Sequence, residues 1–174
     1  MPDESMTQIL NIDLAISFAE QKFSAIGKKN HFLRVLGVLR DEFQVTNMEL
    51  LIAGVLHDTL EDTDTNYDEL VETFNKNVAD LVQEVSHPKD YNKEQKAEFY
   101  NKLKTISPEA KLIKLADFAD NLRSIIRVRK SDPDTPYHNE YILLIRDFLE
   151  SCPKLEAKNI VLELTKELEK YVTV

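Results

Sequence analysis

The sequence predicts an all-α fold, and three observations point to it. The chain has 43% hydrophobic residues, enough for a core, but only 3 Gly and 6 Pro, too little turn chemistry for a many-stranded sheet. Apolar residues recur at spacings of three and four in one segment after another, with no convincing alternation at two. Helix start and stop residues mark the segment ends, Ser107-Pro108-Glu109 most plainly. A length of 174 residues suits one compact domain, expected over 1–174 with its core at about 12–150 and a C-terminal helix at 156–171.

The first helix is expected over Ile12 to Ile26, where Ala15, Ile16, Ala19, Phe23 and Ile26 form one apolar stripe before the terminator Gly27. A second starts near Asn30 and buries Phe32, Val35, Leu36, Leu39 and Phe43. The third begins near Asn47, and its run Leu50 to Leu56 is apolar nearly all round, which marks a central, buried helix. Asn66 to Glu84 forms one long or two short helices, with Leu70, Val71, Phe74, Val78, Leu81, Val82 and Val85 inward and Pro88 closing the segment. Lys89 to Lys104 is a charged loop or short helix and the most basic region of the chain. Ser107 caps a helix that reaches about Lys130 with a stripe of Leu112, Leu115, Ala116, Ala119, Leu122, Ile125 and Ile126. A loop over 131–136 leads to helices at about 137–150 and 156–171.

A formal charge of -9 and a pI near 5.0 argue against a broad footprint for DNA or RNA. A small anionic substrate then needs a metal ion or a local basic cluster to offset that field. The single Cys152 allows no internal disulfide, and neither a signal peptide nor an 18-residue apolar span is present. A cytoplasmic protein with no membrane or nucleic-acid partner is expected, with a homo-oligomer left open.

Chemistry concentrates in a few residues. His57-Asp58-Thr59-Leu60-Glu61-Asp62 follows directly on the apolar third helix, and carboxylates beside a core helix are costly unless something pairs them. If the helix continues, His57 and Glu61 lie four apart, Asp58 and Glu61 three, Asp58 and Asp62 four, all on one broad face. A divalent cation would satisfy that cluster; a solvated helix end with capping Asp and Thr is the plainer alternative. Asp117 sits beside the apolar stripe of a later helix with Asn121 one turn on, or else is an exposed partner of Lys114. His31 opens a helix and points inward with Val35 and Val38, a place where a lone histidine is more often a hydrogen-bonded core residue than a ligand. His87 and His138 fall in expected loops and are assigned to the surface. Two imidazoles and two carboxylates without a thiol suit Mn, Fe, Co or Ni better than a closed structural Zn site. Such an ion polarises a phosphoryl oxygen and acidifies water, with Glu61 and Asp62 beside it to orient that water or handle its proton.

A histidine opening one helix, His-Asp closing another and an Asp in a later helix resemble the metal tetrad of the HD superfamily. The chain is also similar to the hydrolase domain of RelA/SpoT proteins and to stand-alone small alarmone hydrolases, the metazoan SpoT homologue type among them. Leu56 to Asp64 stands where that family typically reads LHDTVEDT, and Ala110 to Asp117 through Asn121-Leu122-Arg123 where it reads AKLVKLADKLYNLR. The stretch from Glu69-Leu70 to Val85 also looks like the family, and the resemblance covers roughly Ile12 to Glu150.

The resemblance implies a compact HD-domain helical bundle in which His31, His57, Asp58 and Asp117 are metal ligands and Glu61 and Asp62 the catalytic acidic pair. It implies substrate contacts for Asn121, Tyr141, Lys93 and Lys96. The implied activity is Mn-dependent removal of the 3′-diphosphate of guanosine tetra- or pentaphosphate, giving GDP or GTP and pyrophosphate. One segment departs from the pattern. Where the family shows an Arg/Lys-rich stretch and Gly-x-Pro-Tyr-x-x-His-Pro around the first ligand, this chain has Gly27-Lys28-Lys29-Asn30-His31-Phe32-Leu33-Arg34-Val35, with Lys22, Lys28 and Lys29 as the nearest basic replacements. The departure motivates two alternatives. One is an HD phosphohydrolase of another nucleotide, such as a nucleoside monophosphate, an adenosine alarmone or NADPH; the other is a non-catalytic nucleotide-binding HD module.

Overall fold

The structure is a computed structural model that describes residues 10–24, 26, 30–132, 140–152 and 155–171, and all described regular elements are helical. Helix α1 spans Ile12–Ser24 and buries Ala15, Ala19 and Phe23, one residue per turn on a single stripe. It ends before the expected Ile26, which is 43% exposed, and the expected terminator Gly27 lies outside the described residues. Helix α2, His31–Gly37, starts behind Asn30, whose φ of 66° is a left-handed conformation that Asn tolerates better than most residues. It runs on into a wide turn, Val38–Glu42, closed by the Phe43 amide donating to the Val38 carbonyl at 2.9 Å, five residues back.

Helix α3, Met48–Leu56, is capped by the Asn47 side chain, which accepts from the Leu50 amide, and every residue from Leu50 to Leu56 is buried. Gly54 lets this helix sit directly on α2's extension, since a Cβ there would lie 2.2 Å from Leu39 Cδ1. The helix does not continue through His57-Asp58 as one face. Those two residues form a turn, and the short helix α4, Thr59–Asp62, follows. Thr59 Oγ1 donates to the Leu56 carbonyl at 2.6 Å, which satisfies an acceptor freed where the helix breaks.

The next segment resolves into two helices, α5 (Tyr67–Thr73) and α6 (Lys76–Val85), each capped by an Asn side chain. Lys89 to Lys104 holds a true helix, α7 (Lys93–Leu103), opened by a reciprocal capping box between Asn92 and Gln95 and fixed through Phe99 and Leu103. Helix α8, Pro108–Ser131, starts as expected on the Ser107 cap, whose amide and hydroxyl both donate to the Glu84 carboxylate on α6. It packs against α2, α3 and α6 and is backed by α10 (Lys158–Glu169), while α9 (Glu140–Glu150) seats Phe148 and Tyr141 against Phe118. Burying α8 on all these partners is what brings its polar residues Asp117 and Asp120 inside. No helix among the described residues is long and apolar enough to cross a membrane.

Candidate metal and catalytic site

Three helix segments converge where α2 begins, α3 ends and α8 is half-way along. His57 is buried, and its Nδ1 donates to the Gly54 carbonyl at 2.9 Å, which leaves Nε2 as the nitrogen without a proton when the ring is neutral. That Nε2 is buried and forms no hydrogen bond, although Asp58 Oδ1 lies 3.1 Å and Asp117 Oδ1 3.8 Å away. His31 Nε2 lies 3.2 Å from Asp117 Oδ1 and 3.8 Å from Asp58 Oδ2. Ligand atoms of His31, His57 and Asp58 all fall within 4.8 Å of one another, and Asp117 Oδ1 lies beside both imidazoles, outside that group of three.

An orphaned buried imidazole nitrogen facing carboxylate oxygens is costly by itself and suits a divalent cation. The donor set, nitrogen and oxygen with no thiolate, fits the same conclusion. Contacts from Ser86 and Asp120 hold this geometry. Ser86 Oγ donates to the His57 carbonyl at 3.0 Å, and the His31 ring is fixed through Nδ1, 2.7 Å from Asp120 Oδ2. Asp120 is held in turn by Arg34, whose Nε and Nη2 reach its two oxygens at 2.7 and 3.0 Å.

The charges are strongly coupled. Burial disfavours the His31 imidazolium, but its hydrogen bonds to the accepting Asp117 and Asp120 carboxylates prevail and raise its pKa to about 9. Burial also opposes charge on His57, yet Asp58 and Asp117 hold its pKa above the ordinary value. For Asp117 burial favours the neutral form, and Lys114 with the His31 hydrogen bond keeps it well below the usual carboxylate range. Lys114 Nζ lies 2.8 Å from Asp117 Oδ2, so the expected alternative pairing is present, although both partners are inside rather than on the surface.

His31, Asp58 and Asp117 line a cleft of about 460 Å³, a volume suited to a small ligand. Glu61 and Asp62 line it from α4, Asn121 and Phe118 from α8, Tyr141 from α9, and Phe99 and Tyr100 from α7. Asn121 Nδ2 donates to Asp117 Oδ1 at 2.6 Å. Burial pushes the Glu61 carboxyl up, with His87 and Lys114 opposing. The structure does not bring Lys93 and Lys96 into this lining; both are exposed, and α7 turns Phe99 and Tyr100 to the cleft instead. Lys22 is occupied elsewhere, with Asp64 and Glu69 each at 3.0 Å, while Lys28 and Lys29 lie outside the described residues.

The assignment of His87 to the surface is corrected. The ring is buried, with Nε2 3.2 Å from Glu61 Oε1, because Tyr91 and Phe99 fold over it. His138 lies outside the described residues. The role of Asp120 and Arg34 is not legible in the sequence: the pairing of a helix-opening His31 with an acid on α8 spans 89 residues and has no local signature.

Residues 13–140 match the HD domain family. The chain belongs to the HD-domain family. Within it, the chain is 40% identical over 99 residues to the guanosine-3′,5′-bis(diphosphate) 3′-pyrophosphohydrolase MESH1 of Danio rerio, covering 56% of this chain and 55% of that one. The protein named guanosine-3′,5′-bis(diphosphate) 3′-pyrophosphohydrolase in Aquifex aeolicus is 35% identical over 122 residues, covering 66% of this HD chain and 18% of its own. The chain thus spans about half the length of the MESH1 relatives it matches and less of the longer one. The HD fold extends further than that alignment. A solved structure titled as a metazoan ortholog of SpoT that hydrolyzes ppGpp superposes with a TM-score of 0.75 at 27% identity, covering 91% of this chain and 94% of that one.

Proposed function

We propose that this HD domain hydrolyses guanosine tetra- or pentaphosphate at the 3′ position, releasing pyrophosphate. The observation that supports it most is the buried His57 Nε2 without a hydrogen bond, set among Asp58, Asp117 and His31, which line a cleft of about 460 Å³. The names printed for its relatives supply the substrate. His31, His57, Asp58 and Asp117 would hold the ion, for which Mn2+ suits the mixed nitrogen and oxygen set. Bound there, a divalent cation supplies Lewis acidity toward a phosphoryl oxygen and toward water.

The chain's own groups do the rest. Glu61, its carboxyl pushed up by burial, is placed to take a proton from the attacking water near neutral pH. As water adds to the 3′-linked phosphorus, the bond to the 3′ oxygen breaks and that oxygen needs a proton, which the Glu61 and Asp62 pair returns. Tyr141 and Asn121 border the space for the nucleoside.

One observation favours a second reading, a nucleotide with fewer phosphates. Of the cations lining the cleft among the described residues, Arg34 is engaged by Asp120 and Lys114 by Asp117. Offering the Mn-loaded protein guanosine tetraphosphate, nucleoside monophosphates and NADPH, with pyrophosphate and phosphate assayed separately, distinguishes the two. Pyrophosphate from the tetraphosphate is expected. Phosphate from a monophosphate with the tetraphosphate intact would overturn the proposal, and silence on all three would point to a binding module. His57→Ala is expected to abolish metal uptake; a full retained equivalent would remove His57 from the ligand set.

A further inference from the structure

We propose, resting on the acid–base role given to Glu61 above, that His87 is a positioning residue for Glu61, held against its carboxylate by the segment joining α6 and α7. His87 Nε2 lies 3.2 Å from Glu61 Oε1. The other ring nitrogen, Nδ1, lies 2.7 Å from the Pro88 carbonyl oxygen, which can only accept, so Nδ1 keeps its hydrogen in every charge state. Nε2 is therefore the nitrogen that shares a proton with Glu61: it accepts from a protonated Glu61 when neutral, and as imidazolium it donates to the carboxylate.

The ring has little freedom to do anything else. Tyr91 stacks on it at 5.3 Å and 8°, Phe99 meets it edge-on at 4.9 Å and 74°, and its side chain is only 8% exposed. Filling this space needs only an aromatic ring; two nitrogens with fixed partners do more. The contact engages Oε1 of a carboxylate whose residue lines the cleft.

The charged and titratable groups facing Glu61 are His87, Lys114, Asp58 and Asp62, with Tyr100 also within electrostatic reach. Lys114 is committed to Asp117 at 2.8 Å, so His87 is the cation-forming group placed on Glu61 itself. Held at Oε1 by this contact, Glu61 keeps one orientation while it takes a proton from water and, with Asp62, returns it to the leaving oxygen.

The test compares wild type with His87→Phe, which keeps the packing against Tyr91 and Phe99, and His87→Gln, which keeps a donor that does not titrate. Turnover of guanosine tetraphosphate is measured on the Mn-loaded proteins. The Glu61 carboxyl is titrated by 13C resonance on proteins loaded with Zn2+, using Glu61→Gln to assign the signal. His87→Phe is expected to lower kcat about 10- to 100-fold, the range for lost outer-shell partners, with KM within about twofold. It should also move the Glu61 titration to higher pH, since an opposing positive charge is gone, and His87→Gln should recover part of kcat. An unmoved Glu61 titration overturns the proposal, whether or not kcat falls. If wild type leaves the tetraphosphate intact, the substrate assignment fails while the Glu61 titration still decides the role of His87. If His87→Phe does not fold, the same upward shift must appear in His87→Gln, and its absence overturns the proposal.

Discussion

Asp120 Oδ2 lies 2.7 Å from His31 Nδ1, and the same carboxylate is gripped by both ends of the Arg34 guanidinium fork. A histidine whose outer nitrogen is fixed presents its inner nitrogen in one direction only. Asp120→Asn weakens the grip of both partners without emptying the space. We expect metal affinity to fall about 10- to 100-fold, as is typical when an outer-shell partner is lost, while Arg34, 45% exposed, is rehydrated and the fold persists. Competition with a chromogenic chelator measures the affinity, and an unchanged value would show that His31 needs no such brace.

Proton competition at His31 gives a pH prediction. In the metal-free protein the group titrates at about 9, against an ordinary 6.5. A cation must displace that proton, so apparent affinity should climb through neutral pH and level only above about 9, rather than above 6.5. The sign for folding is the reverse. With the folded value raised, His31 stabilises the metal-free fold fully below about 6.5, and the contribution is lost as pH rises through about 9. Calorimetric metal titrations in buffers of different ionisation enthalpy should show proton release at pH 8; none would contradict the raised value.

Glu61→Gln keeps the size of the side chain and removes its proton chemistry. Turnover should drop about 10²- to 10⁴-fold, the usual scale for a positioned acid–base group, with one equivalent of metal still bound. Metal content by elemental analysis separates this outcome from damage to the ion site. Because burial raises the Glu61 carboxyl, the acid limb of the wild-type profile should lie above the ordinary glutamate range.

Phe118 is 1% exposed and carries the edge-to-face contacts with Tyr141 at 6.0 Å and Phe148 at 5.4 Å. Phe118→Ala should cost about 3–5 kcal/mol, the range for emptying a buried aromatic position. Urea unfolding measures the loss. A change below about 1 kcal/mol would mean that α9 is not seated on α8 as described.

Much of this architecture is written locally. Asn47, Asn92 and Ser107 announce helix starts through side chains that reach only three residues along, and the stripe Ala15, Ala19, Phe23 needs no partner to be recognised. His57, Asp58 and Asp117 stood out because carboxylates next to apolar runs are expensive. What escaped depends on distance in the chain or on backbone direction. The turn at His57-Asp58 interrupts the continuous helix that the spacing suggested, yet Asp58, Glu61 and Asp62 still line one cleft. His87 looked like loop because its neighbours are Ser86 and Pro88; only the fold of Tyr91 and Phe99 back over it encloses the ring. Lys93 and Lys96 drew attention by charge, yet the pitch of α7 points the aromatic residues, not the lysines, at the cleft.

The four converging residues come from positions 31, 57, 58 and 117, so long closed loops must form before they meet. An unfolded chain holds no such site, and whatever ion settles there binds the folded state alone. Folding and loading are then one equilibrium. Free cation at a hundred times its dissociation constant adds about 2.7 kcal/mol of stability, a sizeable share of what keeps a small domain folded. With an ion held there, the melting temperature of this chain should rise with free metal, and chelation should lower it.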